Sequence, residues 1–150
     1  MYGLMNLLQA RVTELTADLR YYHKPTPAAK IAPQVVNTCL PRKDSSWTEG
    51  MDYPFVSIAI YGGGFDIMAP QPHQVVIGCG IETDGDTAAG TADIMALTAA
   101  VGRIVENRTF KPFKLRSPIR YTVGSEQRGF EGSQPHPYYV SAIYLEFVKF

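Results

Sequence analysis

The segment from Tyr138 to Phe150 constrains this chain most. Ile143, Leu145 and Phe147 fall on one side of a period of two, and Ala142, Tyr144, Glu146 and Val148 fall on the other. Side chains of an extended strand alternate between faces, so this is the pattern of a long strand with one face turned to a core. A helix would need apolar residues at steps of three and four. Those steps occur twice elsewhere. Leu4, Leu8, Val12, Leu15, Leu19 and Tyr22 form one stripe, which predicts a helix over about 2–22. Pro25 and Pro27 stop it, because proline cannot continue the ladder and restricts the residue before it. Ile94, Leu97, Val101, Ile104 and Val105 form a second stripe. Small residues (Ala92, Ala96, Ala99, Ala100, Gly102) fill much of the rest, so this helix can lie close to a sheet. Thr87 or Thr91 is its expected N-cap.

The remaining segments read as strands and loops. Val35–Leu40 follows a Pro-, Ala- and Lys-rich linker over 24–33. Phe55–Tyr61 is β-rich and runs into Gly62, Gly63 and Gly64. His73–Thr83 is a strand whose two glycines, Gly78 and Gly80, suggest a bulge or a close backbone approach. Phe110–Leu115 and Ile119–Val123 read as two short extended pieces around Ser117-Pro118. Runs of strands divided by single helices predict an α+β fold: one antiparallel or mixed sheet with two helices on one face. Parallel folds need a regular strand–helix–strand spacing that is missing. The 150 residues suit one domain, with the sheet and second helix over 35–150.

Composition narrows the function classes. Fourteen Lys and Arg balance fourteen Asp and Glu, and a neutral chain is a poor coat for DNA, which needs a basic surplus to displace counterions. The same neutrality leaves little self-repulsion and tolerates self-association. Cys39 and Cys79 each sit in an apolar run, as buried small hydrophobes do. The start of the chain lacks the pattern of a secretory signal, and no run of apolar residues has the length of a membrane span, so a cytoplasmic setting is expected, with no membrane partner.

Motifs for chemistry are weak. Gly62-Gly63-Gly64-Phe65-Asp66 lacks the Lys and Ser or Thr of a phosphate loop and reads as a hairpin connection. Asp84-Gly85-Asp86 lacks the alternating carboxylates and closing glutamate of a calcium loop and reads as a turn feeding a helix N-terminus. His23, His73 and His136 are far apart and form no zinc-type pair with each other or with cysteine. Ser125, Glu126 and His136 share a loop region but carry no nucleophile motif. These residues predict no enzyme, no cofactor and no metal site. Arg103, Arg108, Lys111, Lys114, Arg116 and Arg120 cluster in sequence with Phe110, Phe113 and Tyr121 between them. That is a candidate phosphate-facing surface, or else a solvated helix end and strand faces.

Several segments together resemble the tail terminator (tail-completion) proteins of tailed bacteriophages. They are Leu40-Pro41 with the charged loop after it, Asp52-Tyr-Pro-Phe-Val-Ser-Ile-Ala-Ile60, the strand ending Ile81-Glu-Thr-Asp84, the helix starting Ala92-Asp-Ile, and Gln134-Pro-His-Pro-Tyr-Tyr-Val140 leading into the last strand. The resemblance covers roughly residues 35–150. It implies a virion protein without catalysis, assembled in the host cytoplasm. Six copies would form a ring on the head-proximal end of the tail tube, stop tube polymerisation and meet the head–tail connector or neck protein. In a contractile tail the sheath would be a further partner, and DNA would pass the lumen without sequence-specific binding. Trp47, Phe65, Gln134, His136 and Tyr138 are the candidate interface residues on this reading, and Arg103, Arg108, Lys111 and Lys114 the candidate lumen residues. Another neck or head-closure component, or a small non-catalytic binding domain, is the alternative.

Overall fold

The structure is a computed structural model that describes residues 2–37, 53–63, 71–106, 109–110, 113–124 and 136–149. Helix α1 spans Tyr2–Thr16. Strands β1 (Gln34–Asn37), β2 (Phe55–Gly63) and β3 (Gln71–Glu82) follow, then helix α2 (Thr87–Gly102) with a 3-10 turn over Arg103–Glu106. The chain closes with β4 (Thr109–Phe110), β5 (Phe113–Val123) and β6 (Tyr138–Lys149). The six strands form one sheet in the order β1-β2-β3-β6-β5-β4. Among the described residues, β1 and β2 pair in parallel and the other pairs are antiparallel. The expected α+β class with a mixed sheet is therefore the observed one.

Registry explains the core. Ile77 sits between Ile58 of β2 and Ile143 of β6, and Val75 pairs with Leu145. Paired residues share a face, so one face carries Val56, Ile58, Val75, Ile77, Ile81, Tyr139, Ile143, Leu145 and Phe147, all buried. Both helices pack there: α1 against β1, β2 and α2, and α2 against β3 and β6. Leu4, Leu8 and Val12 of α1 and Ile94, Leu97 and Val101 of α2 supply the other half of the core. The alternation that made β6 the clearest strand reflects its place: it lies in the interior of the sheet, paired along its length with β3.

Three expectations need correction. Helix α1 ends at Thr16 and not near residue 22. Arg20 turns back to donate to the carbonyls of Ala17 and Leu19, at 2.6 and 2.7 Å. Tyr21 then pairs its backbone with Ile31 at 2.9 and 3.0 Å. Tyr21 is the residue buried there; Leu19 packs at the core margin from a non-helical backbone, so its helical spacing was coincidental. The N-cap of α2 is Asp86 and neither Thr87 nor Thr91. Its extended backbone lets the carboxylate accept from the Ala89 N–H at 2.9 Å, satisfying an orphan donor of the first turn. The pieces around Ser117-Pro118 divide differently: Phe110 ends β4, whereas Phe113–Leu115 and Ile119–Val123 belong to one strand, β5. Arg116 pairs with Glu146 and Arg120 with Tyr144, so β5 uses four residues where β6 uses two. Pro118 has no N–H for the ladder, which suits the bulge to this position.

Gly78 and Gly80 produce a close approach and no bulge, for their pairing with Ser57 and Phe55 is regular. A Cβ on Gly80 would lie 2.2 Å from the Phe55 ring. The glycine lets that ring lie flat across the strand on the face without helices. Gly90 does the same on the other face, where a Cβ would lie 2.3 Å from the Tyr139 ring.

Candidate functional site

Among the described residues, the helices cover one face of the sheet and nothing covers the middle of the other. That second face is where surface chemistry concentrates. β2 contributes Tyr61, β3 Gln74, β6 Tyr144 and Glu146, and β5 Lys114, Arg116 and Arg120. The Arg120 guanidinium lies over the Tyr144 ring, 4.0 Å from its centroid. Tyr61 meets the same ring edge-on at 6.2 Å and is 53% exposed. Arg116 pairs with Glu146 at 3.7 Å. An arginine stacked on tyrosine keeps its charge while its plane loses little freedom on binding. Arg and Tyr are also the side chains that most often dominate protein interfaces.

The pleat divides the basic cluster read from the sequence. Lys114, Arg116 and Arg120 share the helix-free face with Tyr144, whereas Phe113 and Tyr121 point to the helix side with Phe147 and Ile143. Arg103 stands apart at the C-terminus of α2, where its backbone N–H caps Ala100 and Val101 and its side chain holds Glu106 at 3.2 Å. The hydrogen bond and charge of Arg103 keep the Glu106 carboxyl below its ordinary range. Arg108 and Lys111 lie outside the described residues. Among the candidate interface residues, Trp47, Phe65 and Gln134 also lie outside them. His136 is exposed, and its Nδ1 is 2.7 Å from the hydroxyl of the buried Tyr139. Tyr138 is half-buried and stacks on Tyr53 at 4.9 Å, which in turn meets Phe55 edge-on at 5.2 Å. Both residues are thus tied to their own domain. The sequence reading missed Tyr61, Tyr144 and Arg120 as a group. The alternation of β6 already set Tyr144 opposite the core; its neighbours came from pairing, which one strand cannot show.

A second concavity lies on the helix side, where α2 stops short of β5. It is a cleft of about 300 Å³ lined by Met95, Thr98, Ala99, Gly102, Ile119, Tyr121 and Ile143. Tyr121 at its rim is 58% exposed. The lining is mostly apolar and offers few polar groups to orient a reactant.

Burial pushes the Cys79 thiol up to about 12, against the effect of the neighbouring Ser141 hydroxyl. Ser141 meets Thr98 at 2.6 Å, and Thr98 reaches the Ile94 carbonyl at 2.7 Å. If Thr98 gives its one hydroxyl hydrogen to Ile94, Ser141 is the donor to Thr98. Tyr21 is pushed up to about 12 by burial, then by Asp93 and Cys79. Asp93 is itself raised by burial and by Asp84, with Lys30 opposing. Cys79 is a buried free thiol, as its apolar run predicted; Cys39 lies outside the described residues. No group of three His, Cys, Asp or Glu stands close enough to hold a metal ion among the described residues. No helix among them is long and apolar enough to cross a membrane.

The geometry defines a two-layer α+β domain with one helix-covered face and one open aromatic–arginine face. No family model matches the chain, and a search of curated proteins finds no match.

Proposed function

We propose that this chain is a structural assembly protein of a phage tail, with the part of a tail terminator: a ring that caps the tube and meets the head-side connector. The observation that supports the reading is the open face of the sheet. A six-stranded sheet with helices on one side leaves exposed Tyr61 and Arg120 around a half-buried Tyr144 on the other. That combination suits contact with another protein surface better than it suits solvent. The Asp52–Ile60 and Gln134–Val140 segments that carry the family resemblance lead into β2 and β6, so the resemblance and the open face meet in one sheet. In this role the protein does no chemistry. Its helices and core hold the sheet rigid, and its surfaces set where neighbours bind. A neck or head-closure component would use the same face and differs only in which end of the tube it meets.

Absolute mass by light scattering, with negative-stain images of the same fractions, tests the reading. Six chains of 16.6 kDa give about 100 kDa, and a closed ring should be visible. A protein that stays single at all concentrations, and binds no tail tubes, refutes it. The cleft beneath Tyr121 supports a second reading, a small binding domain for an apolar ligand, since its volume reaches the lower end of ligand pockets. Saturable binding of an apolar probe, lost in Ala99→Trp, would favour that reading.

A further inference from the structure

The chain is neutral overall, yet among its described charges one basic and one acidic group stand apart. Lys114, Arg116 and Arg120 line the open face along β5, where Arg116 meets Glu146. Asp84, Asp86 and Asp93 gather at the N-terminal corner of α2, where Lys30 is the cation that acts on Asp93. Asp84 and Asp86 are exposed, as are Arg116 and Arg120. The two regions lie at opposite ends of the sheet. Glu82, two residues before Asp84, pairs with Tyr138 at the start of β6, and Arg116 pairs with Glu146 near its end. Eight residues of strand separate those levels, or roughly 26 Å at about 3.3 Å each. The regions therefore do not neutralise one another within a chain, because ionic strength near physiological screens charges over about 8 Å.

We infer that the open face around Arg116, Arg120 and Tyr144 docks a second copy of this chain, received through its Asp84–Asp93 corner at the start of α2. The charge signs match, and the two surfaces are different, so the contact is heterologous. Each copy that joins leaves one unused face and one unused corner. Such contacts continue until a ring closes. The stacked Arg120 and Tyr144 supply the rigid centre of the contact, and Tyr61 supplies exposed aromatic area beside it. This assigns the ring contact of the proposed function and rests on that reading.

Paired charge reversals test it. Arg116→Glu/Arg120→Glu makes face and corner both acidic. Asp84→Lys/Asp93→Lys makes both basic and leaves the Asp86 cap in place. Each variant alone should run as a 16.6-kDa species. Mixed in equal amounts they should recover the wild-type mass, because each reversed face then meets a reversed corner. Raising salt to about 1 M, where screening acts over about 3 Å, should lower the wild-type mass. Circular dichroism of each variant separates lost assembly from lost folding, and Arg116→Gln/Arg120→Gln with Asp84→Asn/Asp93→Asn gives a milder pair that should weaken assembly at least tenfold. Wild-type rings that both reversed variants reproduce alone would overturn the inference and leave the ring reading standing. A wild type that never assembles, on its own or on tail tubes, overturns both. Wild-type monomers that bind a labelled single-stranded oligonucleotide, with at least tenfold loss in Arg116→Glu/Arg120→Glu, would make the face a nucleic-acid surface instead.

Discussion

Two glycines in α2 should respond in opposite ways to the same substitution. At Gly90, an added methyl would sit 2.3, 2.5 and 2.8 Å from three carbons of the Tyr139 ring. Ordinary contact begins at 3.4 Å, so ring and helix must separate by about 1.1 Å (3.4 less 2.3). The ring cannot swing away, because Tyr139 is fully buried and its hydroxyl meets His136. Overpacking of this kind costs about 1–3 kcal/mol, and one side of the misfit is a helix backbone, which favours the upper half of that range. Alanine returns roughly 0.8–1 kcal/mol of helix propensity. The net expectation for Gly90→Ala is a loss of about 1–2 kcal/mol, or a Tm lower by roughly 2–8 °C for a domain of this size. At Gly102 nothing lies within 4 Å of the added methyl. Gly102→Ala should therefore gain up to about 1 kcal/mol from propensity and from the reduced freedom of the unfolded chain. Urea melts read both variants, with unchanged m as the check that midpoints report stability. In a Tyr139→Leu background, the cost of Gly90→Ala should shrink, since the ring that opposes the methyl is gone. A Gly90→Ala protein as stable as wild type would refute the tight seating of α2 on β6.

Three further outcomes follow from the described interactions. Asp86→Ala should cost about 1 kcal/mol in the same melts by leaving the Ala89 N–H without its cap, and Asp86→Ser should recover most of it. Thr98→Val should cost about 1–2 kcal/mol, because it removes both buried bonds of Thr98 and leaves Ser141 only the weaker Cys79 sulfur, and more than Ser141→Ala, which leaves Thr98 bonded to Ile94; equal costs would contradict that donor order. Stability should fall as pH rises from about 9 towards 12: the unfolded thiol of Cys79 ionises from 9.0 and Tyr21 from 10.0, while the folded groups keep their protons to about 12. The unfolded chain then binds fewer protons, so alkali favours it, by at most about 4 kcal/mol from Cys79 over three pH units. Cys79→Ala should flatten that decline, and parallel curves for the two proteins would show that Cys79 plays no part.

The features legible in the sequence were those with a local physical cause. A strand face and a helix face repeat every two or 3.6 residues whatever surrounds them, so β6, the stripe of α2 and most of α1 could be read directly, and with them the α+β class. Gly78 and Gly80 signalled a close approach, because a missing Cβ matters only where something comes near. Other features arose from pairing. Leu19 and Tyr22 kept a helical spacing after the helix had ended, and only the pairing of Tyr21 with Ile31 decided otherwise. Asp86 outcompeted two threonines as cap because its backbone was extended there. The basic cluster looked continuous along the chain, but the pleat put Phe113 and Tyr121 against the helix side and Arg116 and Arg120 in the open, with two extra residues of β5 absorbed between them. Tyr61 comes from a strand more than fifty residues before Arg120, and the two meet at Tyr144 only because the sheet order sets β6 between β3 and β5. A face of a sheet is assembled from several strands, and no single strand carries the registry that assembles it.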